Sequence, residues 1–225
     1  HRPFIDFEQD INSYRVQGSM FSEKYKILNS ADFGFTISGL LGDKLNDETT
    51  NKIRDKNPGK YGSYAIGIYN GGGYNAIEYN NNKVFESRIT LRPLSNLMPG
   101  LQLTHAFAIG KANTETNNQN FNLNILYLSH ASNIHRFSAQ YIKGKGDYLG
   151  KYYDTDNKPL NISGFSFFSE MNIFHTNFSL FSRYDAFIHE NNATFKKESF
   201  VGGISYHFLK SKIIAFYQTD FYRGY

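Results

Sequence analysis

The chain has 225 residues, 40% of them hydrophobic and 17% aromatic, with 21 Phe, 17 Tyr and neither Trp nor Cys. Without Cys it forms no disulfide and no thiolate metal site, and its aromatic content is unlike that of a disordered chain. Its 24 Lys and Arg exceed its 20 Asp and Glu by four, without a basic run, which gives no support to nucleic-acid binding. No apolar run approaches the roughly 20 residues that a transmembrane helix needs.

Short segments with alternating apolar and polar residues recur along the chain and predict β-strands. Residues 1–30 show no clear period, although Tyr14–Met20 has features of a strand. Beyond them we predict about ten strands, at 31–42, 61–70, 84–92, 101–109, 121–128, 136–143, 162–170, 177–187, 200–208 and 212–222. No helix longer than a turn or two is expected, and the charged loop 43–60 is the place for one such turn. We therefore treat residues 1–225 as one unit, with 31–225 supplying the strands.

The predicted connections alternate in length through the second half of the chain. Short turns are expected near 93–100, 129–135, 171–176 and 209–212, and long polar loops near 70–83, 110–120, 144–161 and 187–198. Outer-membrane β-barrels have short turns at one end and long loops at the other. The loop 43–60 falls on the short-turn side and breaks this alternation.

Alternation alone does not separate a membrane barrel from a soluble β-sandwich. A sandwich buries its apolar faces against a second sheet, whereas a membrane barrel turns them to lipid and lines its interior with polar residues. Segment 84–92 carries Phe85, Ile89 and Leu91 on one side. The polar faces of the segments carry Glu86, Arg88, Arg92, Asn122, Asn124 and Arg136. Mixed charge with Asn is typical of a water-filled channel, so we predict an all-β, antiparallel up-and-down transmembrane β-barrel. The direction of Phe85, Ile89 and Leu91 separates the two alternatives.

The stretch YAIGIYNGGGYNAIEYNNNKVFESRITLRPL, followed by PGLQL, resembles the porin family that includes the phosphate-selective porins, in the form found in Bacteroidetes. The shared elements are a strand ending at Asn70, a polar loop, Lys83, and a strand that contains Arg88 and ends at Arg92. The resemblance implies a trimeric outer-membrane barrel that passes small hydrophilic solutes. It also implies more strands than ten, so we expect a partial chain.

Six charged residues are our candidates for the solute path: Glu86, Arg88, Arg92, Arg136, Lys143 and Arg183. In one interpretation they form a basic lumen lining that concentrates anions. In the other they brace the wall through ion pairs, with Glu86 pairing to Arg88 and Arg92, and Asp185 pairing to Arg183. Rings near strand ends are candidates for interfacial girdles: Tyr61, Tyr64, Phe85, Tyr127, Tyr141, Phe187 and Phe208.

Catalytic motifs are missing from the sequence. The seven His form no HxH or HExxH pair, no GxSxG motif occurs, and the glycines at 71–73 precede no helix with Lys-Ser or Lys-Thr. We therefore expect no enzyme activity, no metal and no cofactor.

The function predicted from the sequence is passive diffusion of small hydrophilic solutes, with a preference for phosphate-like anions, through a porin in the outer membrane of a Gram-negative bacterium. The expected partners are lipid, the solutes and other copies in a homotrimer. Two alternatives are a non-conducting outer-membrane barrel with a structural or adhesive role, and a soluble β-sandwich that binds carbohydrate.

Overall fold

The computed structural model describes residues 2–116, 119–174, 176–190, 194–209 and 211–224. Its helices are α1 (Pro3–Ile11), a 3-10 turn (Arg15–Gln17), α2 (Phe21–Lys24) and α3 (Asp47–Ile53). Its strands are β1 (Gly34–Leu41), β2 (Gly62–Tyr69), β3 (Val84–Leu91), β4 (Leu101–Lys111), β5 (Asn120–Ala131), β6 (His135–Lys145), β7 (Asn161–Asn172), β8 (Phe178–Glu190), β9 (Thr194–Phe208) and β10 (Ser211–Gly224).

The ten strands form one antiparallel sheet in which each strand pairs with the next along the chain. The pairing registers place Glu86 between Gly67 and Ala108, and Arg88 between Ala65 and Ala106. The predicted all-β, up-and-down architecture is thus confirmed for the described residues. They do not form the two packed sheets of a sandwich.

The two faces of the sheet lie in different surroundings. From β2 to β9 one face is covered by residues 2–31, which we call the N-terminal segment, and we name this face the covered face. The other is the open face, where Phe85, Ile89 and Leu91 are 39%, 45% and 46% exposed. Because side chains alternate between faces along a strand, Glu86 and Arg88 lie on the covered face and are buried. The apolar side of this strand therefore points away from the interior.

The N-terminal segment is helical where the sequence suggested loop or strand. Pro3 occupies the first turn of α1, where its missing N–H costs nothing, and Phe4, Phe7 and Ile11 recur at helical spacing and are buried. The predicted strand Tyr14–Met20 is wrong. Its centre is the 3-10 turn Arg15–Gln17, which ends at the C-cap Gly18.

The core lies between α1 and the covered face of β5. The Phe4 and Phe7 rings meet the Tyr127 ring edge-on, with centroids 5.5 and 6.0 Å apart. This corrects the predicted facing of β5, since Asn122 and Asn124 lie on the opposite side from buried Tyr127. A girdle position for Tyr127 is wrong for the same reason, as it is for buried Phe187. The apolar side of this strand turns inward because α1 offers it an apolar surface.

The connection lengths agree with prediction except between β8 and β9. β8 ends at Glu190 and β9 begins at Thr194, so the long loop expected at 187–198 is mostly strand. The loop 43–60 contains α3, which starts after the N-cap Asn46, whose side chain accepts a hydrogen bond from the Thr49 N–H at 2.8 Å. β1 and β10 are the edge strands of the sheet.

Candidate functional site

The candidate site is the covered face together with the N-terminal segment that lies on it. The segment extends from β3, where Arg2 pairs with Glu86, to β10, where Lys24 pairs with Asp220 at 2.6 Å. Charged and aromatic groups of the sheet therefore meet this segment rather than solvent.

Glu86 is neutralised from outside the sheet. Its carboxylate pairs with the Arg2 guanidinium, and both side chains are buried. Arg2 also donates to the Asn29 side-chain oxygen and lies 5.6 Å from the centroid of the Tyr69 ring. The predicted pairing of Glu86 with Arg88 and Arg92 is therefore wrong. The Glu86 carboxylate pairs instead with the guanidinium of the N-terminal segment.

Arg88 is held by neutral partners. Its guanidinium donates to Ser63 Oγ at 2.9 Å and to Thr90 Oγ1 at 2.6 Å, and it lies 4.7 Å from the centroid of the Phe7 ring. A guanidinium over an aromatic face keeps its charge while sharing an apolar contact. Arg88 thus seats α1 on the sheet without an ion pair of its own among the described residues.

Arg92 secures the loop that carries α3. It forms an ion pair with Asp55 and donates from Nε to the Gly59 carbonyl at 3.1 Å. Gln102 donates to the same Asp55 carboxylate at 2.7 Å. Lys56, beside Asp55, pairs with Asp10 of α1 at 2.6 Å. These contacts fix the loop over one end of the covered face and tie it to the N-terminal segment.

Arg136 and Lys143, predicted to share a face, lie on opposite faces. Arg136 is buried and donates to the Asp10 carbonyl at 2.7 Å. Lys143 is exposed on the open face, where it is paired with Asn124 of β5. Because the two positions differ by an odd number and a strand alternates with period two, they cannot line the same surface. Lys143 is therefore removed from the candidate path.

Arg183 forms the predicted pair with Asp185, at 3.1 Å, and both side chains are buried. Its guanidinium also donates to the carbonyls of Gly18 and Ser19, at 3.0 and 2.5 Å. The two carbonyls follow the 3-10 turn, where Gly18 and Ser19 both have a positive φ. This arginine therefore braces the wall and anchors the N-terminal segment at once.

Several residues that shape the site were missed in the sequence. The Tyr14 hydroxyl donates to Glu170 at 2.5 Å, and the Tyr14 ring stacks on Phe181 with centroids 3.9 Å apart. Arg2 and Asp55 complete the pairs of Glu86 and Arg92. Only α1 left a local signal, in Pro3 and the helical spacing of its apolar residues.

Glu8 is a buried carboxyl group of the N-terminal segment that is incompletely hydrogen-bonded. It lies on α1, is 4% exposed, and its Oε2 has no hydrogen-bond partner among the described residues. Burial raises the pKa of Glu8 to about 8, against the lowering effect of Arg183. Burial also raises the pKa of Asp10, which Lys56 opposes. A proton on Glu8 therefore accompanies the seated segment at neutral pH.

The described residues contain no group of three or more His, Asp or Glu side chains placed to bind a metal ion. Nor do they include a helix both long and apolar enough to cross a membrane. Comparison with family models, with curated proteins and with solved structures found no match.

Proposed function

We propose that the chain forms part of the wall of a β-barrel in the outer membrane of a Gram-negative bacterium. We propose further that small hydrophilic solutes pass along its covered face. The observation that supports this most strongly is the inversion of the sheet. Charged side chains such as Glu86, Arg88 and Arg183 are buried on the covered face, while Phe85, Ile89 and Leu91 stand on the open face. A sheet of a water-soluble protein has the opposite arrangement, because burying its apolar side chains away from water is favourable.

Large apolar side chains are exposed on the open face of every strand. From β1 to β10 its exposed large residues include Phe35, Ile68, Ile89, Ile109, Leu126, Tyr141, Phe167, Leu180, Ile204 and Ile213. Soluble monomers rarely expose contiguous apolar patches larger than a few hundred Å². Lipid chains are the cover that we propose for this surface.

Closure of the sheet belongs to the same proposal. In a bilayer, each unpaired backbone N–H or C=O costs several kcal/mol, so the edges at β1 and β10 require strand partners. We propose that additional strands complete the barrel and that barrels associate as homotrimers. The mass of the detergent-solubilised assembly, corrected for bound detergent, tests the oligomeric part.

A preference for small, phosphate-like anions is proposed from Arg88, Arg92, Arg136 and Arg183. All four lie on the covered face, where a low-dielectric wall strengthens their field. Their partners are hydroxyls, carbonyls and carboxylates, so the excess positive charge is mild. The N-terminal segment narrows the path and sets the size limit.

Planar-bilayer recording of the full chain tests the proposal. We expect stepwise conductance, and a reversal potential in a KCl gradient that favours chloride. Replacing Arg88 by Gln should shift that reversal potential toward cation preference, whereas Lys143→Gln on the open face should leave it unchanged. Absence of conductance from correctly folded protein would contradict the porin function.

A non-conducting barrel is the second candidate, and one observation favours it. The N-terminal segment and the loop carrying α3 contact the covered face and each other, through Arg183 to Gly18 and through Lys56 to Asp10. If this packing closes the interior of the barrel to solutes, the protein has a structural or adhesive role that its loops carry out. Conductance that appears only after disruption of the segment would identify this alternative.

A further inference from the structure

A pocket lies where the end of the N-terminal segment meets the loop between β2 and β3. It has a volume of about 290 Å³, and its walls include Asn29, Gly73, Tyr74, Asn75 and Tyr148. Small-molecule sites typically occupy about 300–1,000 Å³, so this one suits a compact ligand. It is separate from the charged groups considered for the solute path.

The pocket is preformed by hydrogen bonds between its two walls. The Asp32 carboxylate accepts from the N–H groups of Gly71 and Gly73, at 2.5 and 3.3 Å. The Tyr74 N–H donates to the Ala31 carbonyl at 3.2 Å. Gly73 has a φ of 101°, and a Cβ there would meet the Asn29 amide nitrogen at 2.5 Å. Glycine is therefore required for the close approach of the two walls.

Several neutral groups remain available to a ligand. The Tyr74 side chain is 59% exposed, and neither its hydroxyl nor the Asn75 amide has a hydrogen-bond partner among the described residues. The Asn29 amide nitrogen is buried and likewise without a partner there. Burial raises the pKa of Tyr148 to about 12, so its hydroxyl stays protonated at physiological pH. The available groups comprise an aromatic ring, amides and hydroxyls.

The charged groups near the pocket either already have partners in the protein or carry a negative charge that disfavours an anion. Arg2 is bound to Glu86 and to the Asn29 oxygen, and Asp32 is occupied by backbone N–H groups. The Glu78 carboxylate lies 3.0 Å from the position that a Cβ on Gly72 would take. The carboxylate therefore lies beside Gly72 of the pocket wall, where its negative charge repels phosphate. A neutral ligand fits the electrostatics better than an ion.

We propose that this pocket binds a neutral saccharide. The exposed Tyr74 ring offers an apolar face to the C–H side of a sugar ring. Its hydroxyl group adds a hydrogen-bonding group beside that face. The Asn75 amide can bind sugar hydroxyls as donor and acceptor, whereas Asn29 offers only its amide nitrogen as a donor, because its oxygen is bound by Arg2. This binding does not depend on conduction, so it holds or fails independently of the porin function.

The test is saturable binding of D-glucose and maltotriose to the full chain, measured by saturation-transfer NMR in a detergent without a sugar head group. We expect Tyr74→Ala to weaken binding about tenfold, the upper range for an aromatic contact. Asn75→Ala should weaken it as well. Tyr79→Ala is the matched control, because Tyr79 is an exposed tyrosine of the same loop outside the pocket.

Three results would overturn the proposal: no saturable saccharide binding by the unmodified chain, equal binding by Tyr74→Ala, or an equal loss in Tyr79→Ala. Displacement of the saccharide by inorganic phosphate at low millimolar concentration would also contradict a neutral site. Far-UV circular dichroism confirms that each variant is folded.

Discussion

At the scale of single residues, Glu8 makes seating of the N-terminal segment dependent on pH. Its carboxyl faces Arg183 and Asp185 of β8, Glu23 of α2 and Arg15 of the 3-10 turn, and Tyr127 of β5 lies close by. The pKa of Glu8 is about 8 in the seated state, against the ordinary value of 4.5 for a glutamate side chain. A raised pKa of an acid means that the seated state binds its proton more tightly than the released state does.

The sign of the effect follows from this difference. Seating is strongest below the released pKa, weakens as the pH rises from 4.5 toward 8, and levels off above it. The full loss amounts to about 5 kcal/mol, since one pKa unit corresponds to about 1.4 kcal/mol. Amide hydrogen exchange of α1 at pH 5 and pH 9, corrected for the intrinsic rate, measures it.

Glu8→Gln should flatten this pH profile, because glutamine stays neutral at every pH. Glu48→Gln is the control, since Glu48 lies on the surface of α3 and pairs with Lys52 at 2.6 Å. An unchanged profile in Glu8→Gln would show that another group controls the seating.

The buried ion pair between Arg2 and Glu86 is expected to contribute to the free energy of unfolding. Glu86→Gln leaves the Arg2 guanidinium buried without its carboxylate, and we expect a loss of about 3–5 kcal/mol in the free energy of unfolding. Urea titration in detergent, followed by circular dichroism, measures the loss. The double variant Arg2→Met with Glu86→Leu should recover much of it, because neither charge then remains buried. A double variant as unstable as Glu86→Gln would contradict this account.

At the scale of elements, α1 owes its position to packing on the sheet. Phe7 is buried, meets the Tyr127 ring and lies under the Arg88 guanidinium. Phe7→Ala should cost about 3–5 kcal/mol through the lost contacts and the cavity left behind. Limited trypsin digestion should then cut the N-terminal segment at Arg15 faster than in the unmodified chain.

Val16→Ala is the control for this prediction. Val16 belongs to the same segment but is 91% exposed, so its truncation removes almost no contact. Equal digestion of both variants would show that the segment is held by its polar anchors alone.

At the scale of the whole molecule, a charge on the open face distinguishes lipid from water. Ile89→Lys places an ammonium group at the middle of β3, and in a bilayer we expect it to cost about 2–4 kcal/mol. In water the cost would be small, because the side chain is already exposed. Folding into lipid vesicles, titrated with urea, measures the difference.

Ile77→Lys is the matched control for this experiment. It makes the same replacement at an exposed position of the loop between β2 and β3, where the proposal places water. Equal stability of Ile89→Lys and Ile77→Lys in vesicles would contradict a lipid-facing open face.

Much of the candidate site could be predicted because residues two apart share a face. Glu86, Arg88 and Arg92 were assigned correctly to one surface, and Arg183 was assigned correctly to Asp185. The prediction for Lys143 is wrong, because its position differs from that of Arg136 by an odd number of residues and therefore lies on the opposite face. The partner of Glu86 could not be predicted, since Arg2 approaches it from a helical segment whose path no local pattern records.

The sequence by itself determined the approximate positions of the ten strands, their antiparallel order and, with the exception of Lys143, which candidate side chains share a face. These features follow from backbone geometry, which acts between neighbours along the chain. Only the tertiary structure decided which face is covered and by what. The N-terminal segment packs against the apolar side of β5, which therefore faces inward. It also supplies partners of Glu86 and Arg183. That choice rests on contacts between distant residues, whose free energies depend on burial and pairing that no local pattern encodes.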